Sequence, residues 1–249
     1  MLEISGLTIE VDQKPIVEQS SFSVPHGKIT SIIGESGSGK SMTVAALLDI
    51  LPPGGRVCGQ ALLNGMNLLD YANKDMKALR KSHIFTIFQD AANSFNPSVK
   101  MKSQLYELAG RRMNDTLSQF HTKMENVLQD LGLSATLMEQ YPFELSGGML
   151  QRSMIACAFY IKPKLLIADE PTSAIDVILQ DEFIELLKLL NVEYGTTILF
   201  ITHDLDVVVE VSEEMVVMHD GKVVESGKVK TLFERPQHSY TKRLLNSRF

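Results

Sequence analysis

Apolar and polar residues alternate at the start of the chain, in Leu2, Ile4, Ile9 and Val11 and again in Phe22 and Val24. That period of two belongs to strands on a half-buried sheet. Lys28 to Ile33 read as a more buried strand ending at Gly34. A glycine-rich turn follows, then an apolar helix from about Lys40 to Leu51, stopped by Pro52-Pro53-Gly54-Gly55. Val57 to Leu63 predict a strand closing on the turn pair Asn64-Gly65, and Ile84 to Phe88 another short strand.

From Asp90 to Leu145 strand signals vanish and helical periodicity takes over, as in Phe120, Met124, Val127, Leu128 and Leu131. The alternation of elements then resumes with a helix over 149–162, a strand over 165–168, a helix over 177–193 and a strand over 197–201. Met215 to Met218 and Val223-Val224 flank Asp220-Gly221, the signal for a hairpin with a type I′ turn. Strands alternating with helices imply a mainly parallel sheet covered on both faces.

Composition narrows the class. The chain has 249 residues, 44% of them hydrophobic and 22% charged, with a formal charge of −6. These are the proportions of a globular protein with ample core, and the acidic balance argues against a nucleic-acid partner. The longest apolar run, Met154 to Ile161, is far too short to span a membrane. Met1-Leu2-Glu3-Ile4 leads directly into a strand pattern without a signal-like core, so the expected compartment is cytosolic, with any membrane reached through a partner. Residues 228–249 hold six Lys or Arg against one Glu, which reads as a solvated basic face. Cys58 and Cys157 lack ligand spacing and read as two unrelated thiols.

Three segments carry chemistry. Gly34-Glu35-Ser36-Gly37-Ser38-Gly39-Lys40-Ser41 matches the phosphate-loop pattern GxxxxGK[ST] between a buried strand and a helix. Inward-turned backbone N–H groups and a helix N-terminus make such a loop an anion cradle; Lys40 adds a point charge and Ser41 a hydroxyl for Mg²⁺. Leu165 to Ala168 is an apolar strand ending in Asp169-Glu170. A buried parallel strand delivers its last residue to the ligand crevice, where Asp169 would hold Mg²⁺ and Glu170 would align the attacking water. Ser146-Gly147-Gly148 opens a helix with a good N-cap and uncovered backbone donors, a second anion site.

Ser146-Gly147-Gly148 with Gln151-Arg152 resembles the signature motif of ABC-transporter ATP-binding subunits. The other elements follow in that family's order: the loop at 34–41, Gln89 after a strand, Asp169-Glu170, Ser173-Ala174-Ile175-Asp176, and Ile201-Thr202-His203-Asp204. The resemblance covers essentially the whole chain. It implies an α/β fold, a P-loop NTPase with a RecA-like, mainly parallel sheet core, an antiparallel β subdomain and a helical insert. As one ATP-binding domain over 1–249, it would have its catalytic core at 1–89 and 157–249 and a helical signalling subdomain at 90–156. The implied ligands are ATP and Mg²⁺. Two such subunits would pack head to tail, each nucleotide lying between one chain's phosphate loop and the other's Ser146, Gly147 and Gly148. Gln89 would sense the γ-phosphate and Mg²⁺, His203 would contact the γ-phosphate beside the water held by Glu170, and Asp176 would join the two sites. The family stacks an aromatic residue on adenine near the end of the first strand pair. Here Glu10, Val11 and Asp12 occupy that region, and Val11 offers a weaker apolar contact.

Phe88 to Pro97, Tyr141 to Met149 and Phe233 to Leu245 resemble stretches of the importers for oligopeptides, dipeptides and nickel. Many peptide members continue into a cysteine-bearing extension after such a tail, whereas this chain stops at Phe249. The reading therefore leans to a nickel or metal-chelate importer, with a peptide importer as its alternative. A soluble superfamily member acting on nucleic acid or ribosomes ranks lower. The implied partners are a second, paralogous ATPase, two membrane permease subunits docked on the helical insert, and an extracytoplasmic substrate-binding protein reached indirectly. The implied location is the cytoplasmic face of the membrane.

Overall fold

The strands divide between two sheets in a computed structural model that describes residues 1–89, 94–172 and 177–246, and side chains in the last segment from residue 179. One sheet is antiparallel and contains β1 (Leu2–Val11), β2 (Lys14–Val24), β4 (Gly55–Leu63) and β5 (Met66–Asn67) in the order β2-β1-β4-β5. The other contains β3 (Ile29–Ile33), β6 (Ile84–Ile87), β7 (Leu165–Asp169), β8 (Thr197–Ile201), β9 (Glu214–His219) and β10 (Lys222–Lys228). Its order is β10-β9-β3-β8-β7-β6, parallel except for the β9–β10 hairpin. Asp220 and Gly221 both have positive φ, 46° and 76°, as the type I′ reading requires.

Period-two alternation decides which core each parallel strand feeds. Leu165 and Ile167 of β7 face a core shared with the antiparallel sheet and α1 (Lys40–Leu48), while Leu166 and Ala168 face the helical side. β7 is apolar from Leu165 to Ala168 because both faces are covered. α1 ends three residues earlier than the Pro52-Pro53 signal suggests. Asp49 takes the left-handed conformation (φ 61°), returns its N–H to the carbonyls of Ala45 and Ala46, and pairs with Arg80 of α2 (Lys74–His83) at 3.6 Å.

The helical region contains α3 (Met101–Leu105), which runs into a π turn over Tyr106–Gly110, then α4 (Leu117–Asp130) and α5 (Gly147–Ile161). α4 starts on a capping box, with Thr116 accepting from the Gln119 N–H and Gln119 accepting from the Thr116 N–H. Its Phe120 is fully buried, with ring centroids 5.4 Å from Tyr106 and 5.3 Å from Tyr160. α5 is apolar almost all round because it is buried almost all round, against α4 on one side and α6 (Val177–Tyr194) on the other. The apolar run from Met154 to Ile161 is thus a core helix. The chain closes with α7 (Leu205–Val211), α8 (Val229–Glu234) and α9 (Ser239–Asn246) around a small third core. Cys58 is exposed on β4 and Cys157 buried in α5, both as free thiols.

Candidate functional site at the carboxyl edge of the parallel sheet

The 34–41 loop joins the end of β3 to the start of α1. Gly34 is required by close approach, since a Cβ there would run into the Met218 carbonyl. Gly39 is required by conformation: it sits at φ 100°, ψ 0° as the residue before α1, with no side-chain cap over the first helical turn. The open helix end and its dipole favour an anion here. Lys40 is 5% exposed and its Nζ donates to the carbonyls of Gly34 (2.7 Å) and Glu35 (3.0 Å). The Ser38 hydroxyl is buried without a protein partner, an orphaned donor inside the loop.

The register between β7 and β8 sets the opposite wall. Asp169 pairs with Ile201, so Glu170 emerges beside the end of β8 and His203 two residues beyond it. Glu170 lies in the left-handed region (φ 46°) and is held there by its N–H bond to the Ile201 carbonyl at 2.9 Å. A non-glycine residue costs about 1–3 kcal/mol in such a conformation, and such strain concentrates at functional sites. Its carboxylate faces His203 Nδ1 at 3.5 Å. Asp169 accepts from the Ser41 hydroxyl at 3.3 Å.

Electrostatics reinforce the geometry. Burial lowers the Lys40 pKa, and the charges of Glu170 and Asp169 only partly offset it. Burial raises that of Asp169, which the neighbouring Glu170 charge reinforces and which Ser41 and Lys40 only partly oppose. An anion beside Lys40 and a cation beside Asp169 would compensate both groups, and a magnesium triphosphate brings both charges together. The Ser38 orphan and the Ser41–Asp169 oxygen pair fit that ligand. Among the described residues no three His, Cys, Asp or Glu converge as a metal cage. A magnesium ion held by one or two protein oxygens plus phosphates needs none.

A cleft of about 160 Å³ lies over the loop, lined by Ile16, Gly37, Gly39, Lys40, Ser41 and Glu170 among others. Ile16 is a lining residue that sequence reasoning missed. Val11 lies at the β1–β2 hairpin, paired with Lys14, whereas Ile16 of β2 reaches the cleft. The signal was the adjacent pair Ile16-Val17, of which Val17 is fully buried.

The structure thus brings together the loop, Asp169, Glu170 and His203. Gln89 lies exposed two residues past β6, on the same sheet edge, since Ile87 pairs with Ala168. Ser146, Gly147 and Gly148 stand at a separate helix end. Ser146 caps α5, accepting from the Met149 N–H at 3.3 Å; it and Gly147 are exposed, while Gly148 packs under Leu179. The buried Gln151 side chain donates to the Pro171 carbonyl and Arg152 pairs with Glu182, tying this helix to the segment after Glu170 and to α6. Asp176 lies outside the described residues, as do Ser173 to Ile175 and Asp90 to Asn93.

A family model described as "ABC transporter" matches residues 17–173. The oligopeptide transport ATP-binding protein OppD of Salmonella typhimurium is 39% identical over 233 residues, 93% of this chain and 70% of that protein. The dipeptide transport ATP-binding protein DppD of Escherichia coli is 38% identical over 234 residues, 93% of this chain and 72% of that one. Among solved structures, cbiO1 from Clostridium perfringens, described as part of the ABC transporter complex cbiONQ, superposes with a TM-score of 0.78 at 28% identity, over 100% of this chain and 95% of that one.

Proposed function

The chain belongs to the ABC transporter family, as an ATP-binding subunit that hydrolyses ATP to drive transport, and we propose that the cargo it powers is a di- or oligopeptide moving inward. The observation that carries the ATPase reading is the convergence of Lys40, the Ser41–Asp169 pair and the Glu170–His203 pair at one edge of one sheet.

Each residue has a distinct task. Loop N–H groups between Ser36 and Ser41 hold phosphate oxygens, and Lys40 places its charge among them. Ser41, Asp169 and Gln89 would hold Mg²⁺, which when bound would neutralise charge on the transferring phosphoryl group. Glu170 orients the attacking water and accepts its proton, while His203 fixes that carboxylate and contacts the γ-phosphate. The exposed Ser146 helix end serves a nucleotide held by a second ATPase subunit, packed head to tail, with Asp176 at the junction.

Among the described residues no helix is long and apolar enough to cross a membrane. The transport roles in the relatives' names support a cargo path through partner permease subunits, with this subunit docked on their cytoplasmic face. A groove of about 410 Å³, lined by Phe95, Pro97, Pro142, Phe143, Leu145 and Leu150 among others, is the proposed permease contact. Phe143 is 72% exposed there and stacked on Tyr141, which supports an apolar partner segment. A substrate-binding protein outside the membrane completes the system.

Peptide, the alternative reading of the sequence, is proposed ahead of the nickel or metal-chelate cargo that the sequence reading leaned to. The relatives above are named for oligopeptides and dipeptides, and the lean to nickel rested on where the chain stops, a feature without chemistry toward any cargo. An ATPase need not touch what its permease carries. The test is uptake by vesicles containing the assembled complex, with labelled di- and oligopeptides and with nickel as parallel substrates. ATP-dependent uptake of nickel but not peptide refutes the cargo, and absence of ATP hydrolysis refutes the enzyme.

A further inference from the structure

The tail helix α9 makes a contact with the phosphate loop that the tasks above leave unexplained. It is fastened to β10: the Glu225 carboxylate accepts the N–H groups of Gln237 (2.8 Å) and His238 (3.1 Å), and His238 Nδ1 accepts the Tyr240 N–H (3.2 Å). Tyr240 is 2% exposed. Its ring stacks on His219 at the end of β9, centroids 3.8 Å apart and planes 11° from parallel. The preceding residue, Met218, is the one whose carbonyl Gly34 packs against. From this platform the Tyr240 hydroxyl accepts the Glu35 N–H at 3.1 Å.

The Glu35 N–H and the Gly34 carbonyl belong to one planar peptide group. Tyr240 holds its N–H and Lys40 holds its carbonyl, at 2.7 Å. Rotating that peptide would break both bonds together and turn the carbonyl away from the ammonium. With the N–H committed to Tyr240, the carbonyl must point at Lys40.

We propose that Tyr240 is a positioning residue of the nucleotide site, fixing the Gly34–Glu35 peptide so that Lys40 is aimed at the phosphates. The role rests on the ATPase reading given above. Tyr240 touches no reacting atom; it acts through Glu35 and Lys40, and its loss should weaken ATP binding more than turnover.

Tyr240→Phe removes the hydroxyl and keeps the stacked ring. The expected result in the full chain is ATP affinity reduced roughly three- to tenfold, the worth of a neutral hydrogen bond. In the assembled complex KM for ATP should rise by a similar factor while kcat changes less than about twofold. Amide exchange at Glu35, read without nucleotide, should speed up by a comparable factor while β9 and β10 amides keep their rates. Unchanged affinity together with unchanged Glu35 exchange overturns the proposal. So does a defect seen in Tyr240→Leu but not in Tyr240→Phe, which would make the ring merely structural. If the unaltered chain binds no ATP, the ATPase reading falls and this role with it; binding indifferent to Tyr240→Phe overturns this role alone.

Discussion

Lys40→Ala removes an ammonium that is 5% exposed and donates to two loop carbonyls. Its effects on binding and on folding should separate. A hydrogen bond to a charged group contributes about 1.5–3 kcal/mol, and the one ammonium N–H not given to those carbonyls stands ready for a phosphate oxygen. Losing that bond costs about 1.5–3 kcal/mol, or roughly 10- to 150-fold in ATP affinity.

Stability should behave differently. Burial lowers the Lys40 pKa, so the folded state holds this proton less tightly than the unfolded chain does. At neutral pH the charged group therefore opposes folding, a penalty that lifts only as pH rises through the lowered value. Removing it relieves that penalty while forfeiting two hydrogen bonds. The net change should stay within about 1 kcal/mol, or about 2–4 °C in Tm for a chain of this size. Isothermal calorimetry with Mg-ATP and thermal unfolding of the same samples make the comparison, with Lys40→Met preserving the stem volume. Affinity within about threefold of the parent in both variants would refute the reasoning, as would a loss of binding that merely tracks a loss of folded protein.

Glu170→Gln should keep ATP binding yet lower turnover of the assembled complex by about a hundredfold or more, the scale of general-base catalysis; near-normal hydrolysis would remove Glu170 from that role. Phe120→Ala empties a fully buried site between two tyrosine rings, and chemical denaturation should show a loss of about 3–5 kcal/mol. A loss below about 1 kcal/mol would contradict the packing. Asp115 accepts from Lys123 at 2.7 Å and Tyr160 at 2.5 Å, and those bonds hold its carboxyl below the usual aspartate value of 3.8. Its contribution is fully present above that value and lost as pH falls through the lowered one. The stability gap between the parent and Asp115→Asn should therefore narrow on acidification, and a gap independent of pH would refute the assignment.

Local patterns in the chain determined much of this protein. The glycines and Lys40 of residues 34–41, the Ser146 cap and the Asp220-Gly221 turn act over a few residues, so their neighbours alone reveal them. The unbroken apolar stretch of β7 likewise announced a strand buried on both faces. Some boundaries escaped. Asp49 ended α1 early through an ion pair to Arg80, a residue far along the chain and invisible to a local pattern. Ile16 escaped because alternation says which residues turn inward, not which cavity they meet.

Tertiary structure decided the rest. The register of β7 against β8 set Glu170 opposite His203, and packing of α9 on β9 carried Tyr240 to Glu35, 205 positions away. Hydrophobic burial drives such approaches without direction or sequence address. Residues far apart in the chain become a site only when the cores beneath them fix where each strand and helix ends.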